Sequence, residues 1–245
     1  MWSADWHLGS LSTDARGVEK HLDLLINSPE LRMVTVGDLI ENTRVFRSLE
    51  AVTSQSISPE LQMDIAEDLI EDLSSRDLLL AAFWGNHDVE RDERLFGSSP
   101  LAKIFAQYSV PYFAGIGVMD LIVGSQTYKI VATHKYKGNS ATNDLHSPNK
   151  LHMEKCSDAD VAVTAHTHRP AHSTVFRYLG GIERQVELIK TGTYKSDDVF
   201  SVRHFSPGVV GVPTTVFYPH HKEMITFSSP MAAVTYIRAE RRVNK

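Results

Sequence analysis

The chain has 245 residues, 42% hydrophobic and 22% charged, which is apolar material enough for a sizeable core at a length one domain can reach. A formal net charge of -5, from 25 Lys+Arg against 30 Asp+Glu, argues against a protein that grips nucleic acid through a dense basic surface. The single cysteine, Cys156, leaves no intrachain disulfide framework, no apolar run is long enough to span a bilayer, and no basic stretch leads into an apolar one at the start, so a cytoplasmic protein without membrane contact is expected.

Only Met1 to Ala4 precede the first polar cluster, Asp5-Trp6-His7. A helix is predicted after Ser12-Thr13-Asp14, with Val18, Leu22, Leu25 and Ile26 on one face. Met33 to Val36 read as a buried strand running into Gly37-Asp38. Ser58-Pro59 is a good N-cap and first-turn pair for a helix that carries Leu61, Ile65, Leu69 and Leu73 at four-residue spacing. Leu78 to Trp84 form a strand ending in Gly85-Asn86-His87-Asp88, and a further helix is read around Leu101 to Tyr108. Tyr128 to Thr133 run into His134, and Asp160 to Ala165 run into His166-Thr167-His168. Beyond that point the texture changes to hairpins. Thr174 to Tyr178 and Gln185 to Lys190 flank Gly180-Gly181, while Val212 to Tyr218 and Glu223 to Phe227 flank Pro219-His220-His221-Lys222. The pattern is that of one α/β domain over residues 1–245 whose last third completes a second sheet.

Four strands thus end in Asp, Asn or His, and α/β folds bind ligands beyond the carboxyl ends of their strands. Twelve histidines give the chain an ample supply of the commonest metal ligand. Two cations held about 3.5–4 Å apart need an anionic bridge against their repulsion, and Asp38 is a natural one. Imidazole and carboxylate donors suit Mn, Fe or Zn, while the lack of thiolate clusters argues against a structural zinc site. Taken singly, the motifs are weak: Asp-X-His is common, Gly-Asp is usually a turn, and a lone His134 is usually a satisfied core or surface residue. The ordered set is what carries weight, since coincidence would have to strike five times.

That order, Asp5-Trp6-His7, Gly37-Asp38, Gly85-Asn86-His87-Asp88, His134 and His166-Thr167-His168, resembles the calcineurin-like metallophosphoesterase superfamily over about two thirds of the chain. The resemblance implies a four-layer α-β-β-α sandwich, two central mixed β-sheets flanked by helices. It also implies two divalent metal ions, Mn first, with Fe, Zn or Ni as alternatives. Asp5, His7 and His168 would hold one metal, Asn86, His134 and His166 the other, and Asp38 would bridge them. It further implies in-line attack on a phosphate ester by a hydroxide held between the metals. His87 would stabilise the phosphoryl group or protonate the leaving oxygen, with the adjacent Asp88 orienting its ring or raising its pKa. The sequence departs from the family at Ala165, where a Gly is usual, and a negative φ there keeps the turn intact. Glu41-Asn42 stand where many phosphoprotein phosphatases continue with Asp-Arg-Gly, which weighs against a phosphoprotein substrate.

Asn86, His87 and Arg91 are the expected substrate contacts, and Arg94 is a further candidate for phosphate oxygens. The polar stretch Lys135 to Lys155 reads either as a loop receiving an anionic substrate or as a solvated loop. Thr191-Gly192-Thr193-Tyr194 reads as a structural turn near the site. A weaker similarity to stand-alone metallophosphoesterases of phage and prophage genomes favours a nucleotide or nucleic-acid phosphodiester. A phosphomonoesterase is the alternative within the enzyme class. A protein-binding scaffold is disfavoured by His87 and by the full ligand set.

Overall fold

The computed structural model describes residues 1–44, 54–138, 140, 142–196 and 208–243. Strands β1 (Trp2–Ser3), β2 (Met33–Thr35), β3 (Leu79–Phe83) and β4 (Tyr112–Phe113) form a parallel sheet in that order. A mixed sheet has the order β5 (Gly117–Val123), β6 (Gln126–Thr133), β7 (Val161–Thr164), β9 (Ile182–Lys190), β8 (Ala171–Leu179). Within it β6, β7 and β9 run parallel, and the outer strands β5 and β8 are antiparallel to their neighbours. The last hairpin, β10 (Thr214–Phe217) with β11 (Met224–Phe227), pairs antiparallel.

The helices are α1 (Ala15–Ile26), α2 (Pro59–Ser75), α3 (Arg91–Phe96), α4 (Pro100–Gln107), α5 (His146–Lys155) and α6 (Pro230–Val243). Their starts follow from local chemistry. The side chains of Asp14, Ser58 and Ser99 accept backbone N–H groups of the first turns of α1, α2 and α4, and proline follows directly after the two serines. No helix among the described residues is long and apolar enough to cross a membrane.

Three apolar clusters organise these elements. Met33, Leu79 and Ala82 of the parallel sheet pack with Val18 and Leu25 of α1, Ala66, Ile70 and Leu73 of α2, Leu101 and Phe105 of α4 and Val234 of α6. The other face of that sheet, through Val34, Ala81 and Phe83, meets Tyr128, Ile130, Val161, Val163 and Ile189 of the mixed sheet. The far face of the mixed sheet packs Val131, Ala162, Val186 and Leu188 against Leu151 of α5. The fold is therefore α/β, with a parallel sheet facing a mixed one.

Several sequence expectations need correcting. The buried face of α2 holds Gln62, Met63, Ala66, Ile70 and Leu73, whereas Leu61 and Ile65 are 45% and 41% exposed. The four-residue spacing drifts around a helix of 3.6 residues per turn, so only its end reaches the core. The polar stretch Lys135 to Lys155 is not all loop, because its second half forms α5, with Leu151 and His152 buried. At the C-terminal end, α6 places Arg238 so that its Nε donates to Glu30 Oε1 at 3.0 Å.

Candidate metal centre

Every polar cluster singled out in the sequence lies directly beyond the C-terminal end of a strand. Asp5 and His7 follow β1, Asp38 follows β2, Asn86 to Asp88 follow β3, His134 follows β6, and His166 and His168 follow β7. The strand directions thus bring the ends of both sheets to one edge. His134 crosses from one sheet to the other, its Nδ1 hydrogen-bonded to the carbonyl of Val36 at 2.8 Å.

The backbone at this edge is strained. Asp5, His7, Asp38, His166 and His168 all have positive φ, between 50° and 73°. For residues with a side chain this left-handed region is costly, though Asp and His tolerate it better than most. Hydrogen bonds hold it in place. The carbonyl of Asp5 accepts Thr193 Oγ1 at 2.7 Å and the Tyr194 N–H at 3.0 Å. The carbonyl of Asp38 accepts the N–H groups of Trp6 and His7 at 2.8 and 3.1 Å. The Thr-Gly-Thr-Tyr turn is thus a support for Asp5. Ala165 keeps a φ outside the left-handed region, as its side chain requires, and the left-handed turns fall on His166 and His168 instead.

Two glycines are needed for close approach. A Cβ on Gly85 would meet the Asp38 nitrogen at 2.2 Å and Asp88 Oδ1 at 2.4 Å, and one on Gly37, at φ +86°, would meet the Trp84 carbonyl at 2.5 Å. Gly85 opens a single π-helical turn, Asn86–Glu90, in which the Glu90 N–H reaches back to the Gly85 carbonyl. Such turns are frequent at functional sites.

The side chains form three overlapping groups in which potential ligand atoms lie within 4.8 Å of one another: Asp5, His7 and His168; His7, Asp38 and His87; and Asp38, His134 and His166. The Nε2 atoms of His7 and His168 are 3.2 Å apart, and Asp5 Oδ1 lies 3.8 and 3.3 Å from them. That oxygen is buried and accepts no hydrogen bond. His134 Nε2 faces Asp38 Oδ2 and Asn86 Oδ1, each at 3.1 Å. Because Nδ1 donates to Val36, a neutral His134 turns an Nε2 lone pair toward two more acceptor oxygens. Acceptors converging without a donor repel one another unless a cation or a proton sits between them.

The protonation preferences carry the same message. Burial alone would raise the pKa values of Asp5 and Asp38 and lower that of His134. In each case the opposite charges win, so that Asp5 and Asp38 are lowered and His134 is raised to about 10. His166 goes the other way, to about 4, through burial and the neighbouring His134. The residues therefore fit one or more cations: their carboxylates favour the ionised state, and imidazole nitrogens point at the same space. All seven sequence-predicted ligands belong to this cluster.

No protein-family model matches the sequence, and no curated protein does either.

The partner expected for His87 is corrected. Asp88 does not hold its ring; the buried Asp88 carboxylate accepts the Leu39 N–H at 2.7 Å, and burial together with Asp38 pushes its pKa to about 7. The His87 ring instead has Nδ1 3.0 Å from the Glu41 carbonyl and Nε2 3.1 Å from Arg91 Nη2. Burial lowers the His87 pKa to about 3, so the ring is neutral. Adjacency in sequence misled here, because the π-turn sends consecutive side chains in different directions.

Glu41 is a member of the cluster that the sequence singled out only for its departure from the phosphatase pattern. Its Oε2 lies 2.9 Å from His7 Nδ1 and 3.1 Å from Lys195 Nζ, and its carbonyl also accepts Arg91. The Glu41–His7 pair is close but out of good hydrogen-bond line; a carboxylate behind a histidine favours the tautomer that leaves Nε2 free for a metal. Arg91 lies beside His87, whereas Arg94 turns away to pair with Glu90. Cys156 donates to Asp158 Oδ1 at 3.2 Å, and burial raises its pKa, which leaves it a passive thiol.

Proposed function

We propose that this chain is a two-metal phosphoesterase of the calcineurin-like metallophosphoesterase superfamily that hydrolyses a nucleotide or nucleic-acid phosphodiester. The observation that carries the reading is the convergence of seven Asp, Asn and His side chains, with at least one carboxylate oxygen unpartnered among imidazole nitrogens. Asp5, His7 and His168 would hold one divalent ion, Asn86, His134 and His166 the second, and Asp38, which falls in two of the three groups, would lie between them. When bound, such ions supply a nucleophilic water at neutral pH and neutralise charge on phosphoryl oxygens. Three apolar cores in series, helix to sheet, sheet to sheet and sheet to helix, support a four-layer α-β-β-α arrangement for the fold.

The remaining roles fall to His87 and Arg91. Nδ1 of His87 is engaged by the Glu41 carbonyl, so its Nε2 is the atom open to a substrate, and Arg91 donates to it. A phosphoryl group arriving there takes the guanidinium N–H groups, and its negative charge favours a protonated imidazole. His87 is then placed to pass the Nε2 proton to the departing oxygen, and Arg91 to hold the phosphate. Glu41-Asn42 in place of Asp-Arg-Gly supports a substrate other than a phosphoprotein.

The reading is tested by supplying Mn to metal-stripped protein and following hydrolysis of bis- and mono-p-nitrophenyl phosphate. Mn-dependent cleavage of the diester in preference to the monoester is expected, with loss in Asp38→Ala. Preference for the monoester would replace the diester assignment. Failure on both esters with Mn, Ni, Zn and Fe would overturn the reading.

A further inference from the structure

A second polar cluster lies on the mixed sheet, outside the candidate centre. Lys190, the last residue of β9, is 1% exposed, one of the largest fully buried side chains of the molecule. Its Nζ is 3.7 Å from Asp144 Oδ1, and Arg169 Nη2 is 3.0 Å from the same oxygen. Among the described residues no other carboxylate lies within 4.0 Å of either cation. Two cations therefore share one carboxylate, whose oxygen meets neither in good hydrogen-bond geometry. Burial pulls the Lys190 pKa down, and Asp144 only partly restores it. A lysine buried beside so loose a counter-ion costs stability, so the fold gains little from keeping it.

The position is informative. Lys190 is in register with Thr164 of β7, two residues before His166. Arg169 directly follows His168 and donates to the carbonyl of Ser140 at 3.3 Å. Ser140 and Asp144 both belong to the segment that follows His134. The cluster thus flanks the metal centre at the same strand ends, on the side of the mixed sheet that packs against α5, as Val186 and Leu188 of the same strand do.

We propose that Arg169 and Lys190 form a subsite for a second phosphate group of the substrate, one not being cleaved, and that the Asp144 carboxylate here stands in for its oxygens. A terminal phosphate carries more charge than a carboxylate and three acceptor oxygens, and a diester phosphate still offers two, enough to meet a guanidinium and an ammonium together. Asp144 is 35% exposed, so its side chain has solvent to swing into when a phosphate replaces it. The subsite rests on the phosphodiester reading and narrows it to substrates with phosphates on both sides of a nucleoside.

Calorimetric titration of the Mn-loaded protein with thymidine 3',5'-bisphosphate and with thymidine 5'-monophosphate tests the subsite without requiring turnover. Wild type binds the bisphosphate more tightly than the monophosphate. That ratio falls roughly ten-fold in Arg169→Gln and in Lys190→Met, the loss of one charge-assisted contact. In Asp144→Asn the ratio rises, because the competing carboxylate is gone. A plain structural clamp gives no such rise. Equal affinities for the two nucleotides in wild type, or a ratio unmoved in Arg169→Gln and Asp144→Asn, would overturn the subsite. Should Lys190→Met fail to fold, those two variants decide the question. A protein that cleaves no ester yet shows the expected ratios would retain the subsite and lose the catalytic reading.

Discussion

Glu41 touches both imidazoles on which the proposed chemistry depends. Its carboxylate backs His7, and its carbonyl receives His87. Burial opposes its ionisation, but His7, His87 and Lys195 hold its pKa well below the usual carboxylate range. Outer partners of this kind are worth about 10- to 100-fold in metal affinity. Glu41→Ala should therefore weaken Mn binding by about that factor in a calorimetric titration, and Glu41→Gln, which can still accept from Nδ1, should recover part of it. Equal binding in all three proteins would remove Glu41 from the site. His134 offers a test by pH. Its folded pKa, about 10, stands above the unfolded value of about 6.5. Its proton therefore stabilises the metal-free fold fully below the unfolded value, and that contribution is lost as pH rises through the folded one. Metal affinity runs the other way, since a metal must displace the proton. Mn affinity should rise with pH through neutrality, and titrations in buffers of different ionisation enthalpy should show about one proton released as this site fills. Binding without proton release would contradict the assignment of His134.

Among the elements, the strands were the most legible in sequence. Short apolar runs closed by Asp, Asn or His mark β2, β3, β6 and β7 within a residue or two, because a strand buried on both faces has to be apolar along its whole length. Caps located the start of α1 and α2, since the capping side chain satisfies N–H groups that nothing else reaches. The faces of helices were harder. On α2 the larger residues Leu61 and Ile65 point outward while Ala66 and Ile70 pack, because the neighbouring sheet and α4 decide which side is covered. Ile70→Ala should cost about 2–5 kcal/mol, and Leu61→Ala within about 0.5 kcal/mol, when urea unfolding is compared. Equal costs would show that the packed face has been misassigned. α5 was hidden because its apolar content is low and the face it buries, Ser147, Pro148, Leu151 and His152, is half polar, so no apolar stripe marks it in the sequence.

Across the whole molecule, two sheets present their strand ends to a common edge, and the strained residues gather there. The sequence order of the motifs made the membership of this site readable, since chain direction alone sends each cluster to the same edge. The left-handed backbone at Asp5, His7, Asp38, His166 and His168 was not readable, because neither Asp nor His announces a positive φ as glycine does. Nor were the contacts that cross between segments, such as Lys195 to Glu41 or Arg169 to Asp144, which depend on how distant loops pack. Strain of this kind persists where the surrounding structure over-determines it, and bound cations would offset the crowding of acceptors that it creates. The most direct measurement is the stoichiometry of Mn bound by metal-stripped protein at equilibrium, in wild type and in Asp38→Ala. Two ions per chain in wild type, falling sharply in the variant, is the predicted result. A wild-type protein that binds no ion, or whose binding is indifferent to Asp38, would contradict a two-metal centre at this edge.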